Sequence, residues 1–135
     1  MKLVTFTFNG TTSIGAINGD HIVDFSDSSL PNNMIDFIAL GDQGLDTAKN
    51  LIDNSENKIE LSKAHLEAPI TKPSKILAVG LNYKEHQDEV AQTAAKTIGK
   101  AQEKYPNIFN KQNSSVNGPY DDCLLYTSDA ADESV

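Results

Sequence analysis

The pair Asn9-Gly10 constrains the fold of this chain more than any other feature, because alternating residues flank it on both sides. Both central residues of a tight hairpin turn need φ above zero, a conformation that Asn and Gly tolerate best. We therefore predict a strand over 2–8 and a return strand over 12–17. A second turn over 18–20 and a third strand over 21–25 would complete a small antiparallel meander.

The next part of the chain predicts two short helices, over 34–40 and 45–52, because apolar residues recur there at helical spacing. The first helix should end at Gly41. Its predicted apolar face consists of Ile35, Phe37, Ile38 and Leu40. We expect a polar loop over 54–58, and then a short strand over 66–70.

Two prolines, Pro69 and Pro73, indicate a boundary between subregions. The apolar run over 75–79 predicts a strand that ends at Gly80. The composition from 84 to 104 is helical, although Gly99 weakens its middle, and a further strand is expected over 107–111. A loop rich in Asn, Ser, Gly and Pro follows over 112–122. The pattern predicts an α+β fold that is mainly β, with a small domain over 1–70 and a second domain over 71–122.

The net charge and the lack of long apolar runs exclude several kinds of partner and location. The chain has 135 residues, a net charge of −8 and one cysteine, Cys123. Nucleic acids and anionic membranes are unsuitable partners, because both need clustered Lys and Arg. No run approaches the roughly 18 apolar residues of a membrane span, and the N-terminus is too polar for a secretory signal. We therefore expect a cytoplasmic protein that binds neither nucleic acid nor membrane.

The last residues, 123–135, do not match the rest of the chain. Their sequence resembles the translation of an adapter used in short-read library preparation, although an ordinary acidic tail is the alternative. We expect this stretch to be a non-native tail, and we predict no helix or strand in it.

One candidate group of functional residues follows the 75–79 strand. Gly80 would let backbone N–H groups face a ligand without a Cβ in the way, and Asn82 follows in the same turn. His86 and Glu89 are three residues apart, which places them on one face of a helix. A carboxylate beside an imidazole suits a general base. Such a pair also occurs on the exposed faces of many helices. Taken by itself, the pair is better interpreted as part of a solvated helix than as a catalytic base.

A second candidate group follows the 107–111 strand. Lys111 stands at the strand end, with Ser114 and Gly118 in the next loop, and such a lysine could bind a carboxylate. The alternative is a surface lysine beside a turn. The other histidines, His21 and His65, are interpreted as structural or surface residues.

The two groups together form an ordered pattern. It reads Val79-Gly80-Leu81-Asn82-Tyr83-x-x-His86-x-x-Glu89 and then Pro106-Asn107-Ile108-Phe109-Asn110-Lys111-x-x-Ser114-x-x-x-Gly118-x-x-Asp121. The pattern resembles the fumarylacetoacetate hydrolase family, and the resemblance covers residues 1–122. It implies that 71–122 is the start of the family's catalytic β-sandwich or β-roll domain, including a lid.

The resemblance also implies an activity. Family members hydrolyse, isomerise or decarboxylate 2-oxo and 2,4-dioxo acids with the help of Mg²⁺ or Mn²⁺. Carried over to this chain, His86 would be the general base and Glu89 its orienting partner. Lys111 would bind substrate oxygens, while Gly80 and Asn82 would shape the loop wall and Ser114 and Gly118 the entrance. The full-length parent would be a homodimer.

The family's metal ligands are a Glu-x-Glu pair and a later Asp, and the resemblance places them after Asp122. The carboxylates at the end of the chain lack that context and are not assigned as ligands: Asp121, Asp122, Asp129, Asp132 and Glu133. We therefore expect the chain as given to hold no catalytic metal and to be inactive. The alternative hypothesis is a small non-catalytic binding or regulatory module.

Overall fold

The computed structural model describes residues 1–80, 82–85, 88–89 and 106–122. The predicted tail over 123–135, most of the predicted helical stretch over 84–104, and His86 lie outside the described residues. Two compact units are present: Met1–Thr71 together with Val116–Val135, and Lys72–Ser115. The domain boundaries at 70 and 122 stay a prediction, because compact units need not be domains.

The first unit is built on a five-stranded antiparallel sheet with the strand order β4-β3-β2-β1-β5. Its strands are β1 (Lys2–Phe8), β2 (Thr11–Asn18), β3 (His21–Asp24), β4 (Lys58–Glu60) and β5 (His65–Leu66). The predicted meander is confirmed, since β1, β2 and β3 are neighbours in sequence order.

The turn between β1 and β2 has the geometry that its sequence predicts. Asn9 has φ 49° and Gly10 has φ 77°, and the flanking residues Phe8 and Thr11 are paired across the strands. Both turn residues therefore lie in the left-handed region, which matches the right-handed twist of the two strands.

Two helices supply the other layer of the first unit: α1 (Met34–Ala39) and α2 (Asp42–Asn54). The ring of Phe37 stacks on that of Phe25, with centroids 6.1 Å apart. The buried core contains Ile14, Ala16, Val23, Phe25, Leu30, Met34, Phe37 and Ala48. This core joins the central strands to both helices by apolar contact, the main stabilising term in a small domain.

The prediction for the apolar face of α1 is wrong in part. The helix buries Met34 and Phe37, whereas Ile35, Ile38 and Leu40 are exposed by 50%, 57% and 40%. The helix has only six residues and contacts the core through one narrow stripe. Apolar spacing alone could not show which stripe would face the sheet.

The region between α2 and the linker also differs from the prediction. The expected loop over 54–58 runs into β4, which pairs with β3, and a short 3₁₀ helix follows at Leu61–Lys63. The strand expected over 66–70 is only two residues long, at His65–Leu66. These short strands depend on a partner strand, and their own sequences carry little β signal.

The second unit contains a two-stranded antiparallel ribbon of β6 (Ile76–Gly80) and β7 (Asn107–Lys111). Both strands agree with the prediction to within one residue. A second 3₁₀ turn, Asn113–Ser115, follows β7. More of the described residues lie in strands than in helices, so the predicted α+β, mainly β fold is confirmed.

Candidate functional site

The first predicted group of site residues lies at and after the end of β6. Gly80 is the last residue of β6 and pairs with Asn107. Asn82 and Glu89 are exposed, and His86 lies outside the described residues. A Cβ added to Gly80 would make only ordinary contacts, the nearest at 3.5 Å from the Asn107 carbonyl oxygen. Packing among the described residues therefore does not require a glycine here.

The second predicted group lies at the end of β7. Lys111 is the last residue of that strand, and its ammonium lies 6.0 Å from the centroid of the Phe109 ring. This distance is within the range of a cation–π interaction, which restricts where an exposed lysine points. Ser114 is exposed in the 3₁₀ turn that follows.

The register of the ribbon places these two groups at opposite ends of one face. Gly80 pairs with Asn107, whereas Lys111 pairs with Ile76, four residues away along β6. With a strand rise of about 3.4 Å per residue, the separation is roughly 14 Å. Alternation puts Gly80 and Lys111 on the same face, with Phe109 between them. The ribbon by itself does not bring Gly80 into contact with Lys111.

Gly118 belongs to the first unit, in the segment 116–122, which we call the returning segment. Its N–H donates a hydrogen bond of 2.8 Å to Oδ2 of Asp121. A Cβ at this position would lie 2.6 Å from that oxygen and 2.9 Å from the Leu66 carbonyl oxygen. The glycine is therefore required for a close approach to β5, while its role at a substrate entrance stays a prediction.

The approach of the returning segment to β5 creates a group of three ligating side chains that sequence reasoning missed. His65, Glu67 and Asp121 each offer one nitrogen or oxygen atom, and these atoms lie within 4.8 Å of one another. His65 Nε2 and Asp121 Oδ1 are 3.0 Å apart. The sequence does indicate that His65 and Glu67 share a face, because two residues separated by one position in an extended chain point to the same side. Asp121 is 56 positions from His65, and no local pattern connects them.

A Mg²⁺ or Mn²⁺ centre needs several oxygen ligands in fixed positions. Among the residues that the structure describes, His65, Glu67 and Asp121 are the one group of at least three candidate ligands. The motif residues Gly80, Asn82, Lys111 and Ser114 do not belong to it. Of the described motif residues, only Asp121 belongs to the group, and one carboxylate does not provide a catalytic metal centre.

An open cleft of about 570 Å³ in the first unit contains none of the predicted site residues. Its lining is formed by Asp20, Leu61, Ser62, Ala64, Leu66 and Tyr120.

Comparison with known proteins identifies the class to which the chain belongs. No family model matches the chain. It is 35% identical over 127 residues to oxaloacetate tautomerase fahd2, mitochondrial, from Xenopus laevis, covering 90% of this chain and 37% of that protein. It is 34% identical over 131 residues to the fumarylacetoacetate hydrolase domain-containing protein 2 homolog from Dictyostelium discoideum, covering 92% of this chain and 40% of that protein.

The fold comparison agrees with the sequence comparison. A crystal structure of maleylpyruvate hydrolase from Sphingobium sp. SYK-6, in complex with manganese(II) and pyruvate, matches with a TM-score of 0.60 and 26% identity. The match covers 93% of this chain and 42% of that one. The chain belongs to the fumarylacetoacetate hydrolase family, as its paired motif predicts. It spans about two fifths of the length of each of these three proteins.

The prediction of a cytoplasmic location is contradicted. The Xenopus laevis relative is named as mitochondrial, and so are relatives of the same kind from Rattus norvegicus and Homo sapiens. The prediction rested on secretory signals and membrane spans, and neither feature distinguishes between the cytoplasm and the interior of an organelle. Among the described residues, no helix has both the length and the apolar character needed to cross a bilayer.

Proposed function

We propose that the protein to which this chain belongs catalyses the keto–enol tautomerisation of a 2-oxo dicarboxylic acid such as oxaloacetate. The observation that carries the proposal is 35% identity, over 90% of this chain, to a protein named as an oxaloacetate tautomerase. Most of the described chain therefore takes part in the similarity, including both motif segments.

The roles of the motif residues follow from the chemistry of this reaction. Tautomerisation moves one proton from the carbon beside the oxo group to the oxo oxygen, and no bond between heavy atoms is broken. We assign His86 as the base that takes the carbon-bound proton and returns a proton to the oxygen, because an imidazole can do both near neutral pH. Glu89, three residues further on, would orient the imidazole.

Lys111 is proposed to bind a substrate carboxylate. The chain carries a net charge of −8, so an anionic substrate needs a local cation to be attracted. The ammonium of Lys111 is exposed beside the Phe109 ring and is available to such a ligand. Asn82, Gly80, Ser114 and Gly118 are proposed to shape the surrounding loops.

We further propose that the whole protein depends on Mg²⁺ or Mn²⁺ and forms a homodimer with domains divided at 70. The manganese(II) ion in the maleylpyruvate hydrolase structure supports the metal dependence. Of the described motif residues, only Asp121 lies in a group of candidate ligands, so the motif residues are given no role in holding the ion. We also propose that the chain as given is inactive.

A second candidate reaction is hydrolysis of the C–C bond of an acylpyruvate. The structural match to maleylpyruvate hydrolase favours it, at a TM-score of 0.60. In that reaction His86 would take a proton from water, and pyruvate would be released. The alternative of a non-catalytic module is less favoured, because both kinds of relative are named as enzymes.

The test compares Lys111→Met with Lys72→Met in the whole protein, with oxaloacetate and an acylpyruvate as substrates. We expect Lys111→Met to lower kcat/KM by about 10- to 100-fold, mostly through a higher KM, because a charged hydrogen bond contributes about 1.5–3 kcal/mol. Lys72 is exposed in the same unit and lies outside the motif, so its variant should stay within about twofold of wild type.

The substrates separate the two candidate reactions. Loss of the enol absorbance of oxaloacetate without pyruvate release indicates a tautomerase, and pyruvate release from the acylpyruvate indicates a hydrolase. Equal effects of the two substitutions, or turnover of neither substrate by the wild type, would contradict the proposal.

A further inference from the structure

We propose that His65, Glu67 and Asp121 form a binding site for a divalent transition-metal ion such as Zn²⁺. The ion would connect the returning segment to the edge of the five-stranded sheet. The site uses neither His86 nor Lys111. Asp121 and Gly118 also belong to the paired motif, but Zn²⁺ binding by the chain can be measured whether or not the proposed reaction is correct.

The ligand atoms converge from two parts of the chain that are far apart in sequence. His65 lies in β5 and pairs with Thr7 of β1, and Glu67 follows two residues later on the same side. Asp121 reaches the same point from the returning segment, with its Oδ1 atom 3.0 Å from His65 Nε2. All three ligand atoms lie within 4.8 Å of one another.

The ligand atoms are separated by at most 4.8 Å, which exceeds the spacing in a tetrahedral centre by about 1.4 Å. With bonds of about 2.1 Å, two ligand atoms of tetrahedral Zn²⁺ are roughly 3.4 Å apart. Movements of about 1 Å at exposed side chains would therefore complete the coordination, and water would occupy the fourth position. The site is accessible to a metal ion, since the side chains of His65 and Asp121 are exposed by 52% and 32%.

The carboxylate ligands are already oriented by hydrogen bonds from outside the group. The Thr7 hydroxyl donates a 2.6 Å hydrogen bond to Glu67 Oε1, and the Gly118 N–H donates one of 2.8 Å to Asp121 Oδ2. Such outer partners fix the direction of metal ligands and raise affinity. Gly118 also allows the close approach, because a Cβ there would lie 2.9 Å from the Leu66 carbonyl oxygen.

The charge of the group also favours a cation. Two carboxylates converge on one imidazole, so the group is negative whether or not the imidazole is protonated. In the described part of the chain, the lysine nearest in sequence, Lys63, is paired with Glu60 at 3.0 Å. No described lysine is paired with Glu67 or Asp121. A divalent ion would neutralise this charge, and the imidazole nitrogen favours Zn²⁺ over Mg²⁺.

The experiment is a calorimetric titration of the chain with Zn²⁺, in a Cys123→Ser background that removes the competing thiol. We expect one saturable site. His65→Gln and Asp121→Asn should each weaken binding by at least about tenfold, because even the loss of an outer partner of a metal ligand costs about 10- to 100-fold. The matched control is His21→Gln, an exposed histidine outside the group, which should leave affinity within about twofold. Mg²⁺ in excess should not displace Zn²⁺.

A second measurement locates the ion without a variant in the site. Co²⁺ added to the Cys123→Ser chain should broaden the amide resonances of Leu66 and Gly118 and leave that of Asp46 sharp. Circular dichroism checks that each variant is folded. Zn²⁺ binding that is equally tight in folded His65→Gln would overturn the proposal. So would the absence of saturable binding to the folded chain, or Co²⁺ broadening centred elsewhere.

Discussion

Gly15 lies in the middle of β2, where a side chain has no room. A Cβ there would collide with the carbonyl oxygen of Val23 and lie 2.9 Å from Cγ2 of Ile22. We expect Gly15→Ala to lower the free energy of unfolding by about 2–3 kcal/mol, because overpacking moves backbone as well as side chains. Chemical denaturation measures this change.

The matched control is Gly80→Ala. Gly80 is also in a strand, but its Cβ would make no contact closer than 3.5 Å and its φ is not positive. We expect a change within about 0.5 kcal/mol. If both substitutions cost the same, packing is not the reason that Gly15 is a glycine.

Some residues of the candidate site could be predicted from single sequence positions, whereas their arrangement could not. Lys111 and Gly80 could be selected from the sequence, because each ends a predictable strand. Their location at opposite ends of one ribbon face depends on the register of β6 with β7, which neither strand encodes alone. The group of His65, Glu67 and Asp121 depends on a long-range approach and could not be predicted locally.

At the scale of elements, α1 begins with a side-chain cap. The Asn33 side chain accepts a 2.9 Å hydrogen bond from the N–H of Asp36, and its amide donates one of 2.7 Å to the Asp36 carboxylate. We expect Asn33→Ala to lower the free energy of unfolding by about 1 kcal/mol. Asn32→Ala is the control, since Asn32 is exposed and precedes the cap. Thermal unfolding compares the two, and equal effects would show that the cap contributes nothing.

The elements that were predicted correctly are those specified by local sequence. The β1–β2 hairpin follows from Asn9-Gly10, whose backbone preferences hold in any context. In contrast, β4 has three residues and exists through its pairing with β3. The buried stripe of α1 was predicted correctly at Phe37 and wrongly at Ile35, Ile38 and Leu40, because the position of the sheet decides which side of so short a helix is covered.

At the scale of the whole molecule, the two compact units hold different features of the protein. The first unit holds the buried core and the proposed Zn²⁺ group. The second holds most of the paired motif and contains the ribbon of β6 and β7, whose Leu77, Val79 and Ile108 are exposed by 65%, 46% and 60%. The family could be inferred from sequence because both segments of the motif are present in the expected order. No sequence feature that we identified indicated the mitochondrial location for which several relatives are named.

The most direct test of the proposed function is the turnover of oxaloacetate enol by the whole protein and by its His86→Gln variant. We predict that kcat falls by at least about 100-fold while metal binding and circular dichroism are unchanged, because a general base contributes about 10²–10⁴ in rate. His21→Gln should keep the wild-type rate. An unchanged kcat in His86→Gln would contradict the assignment of His86 as the base.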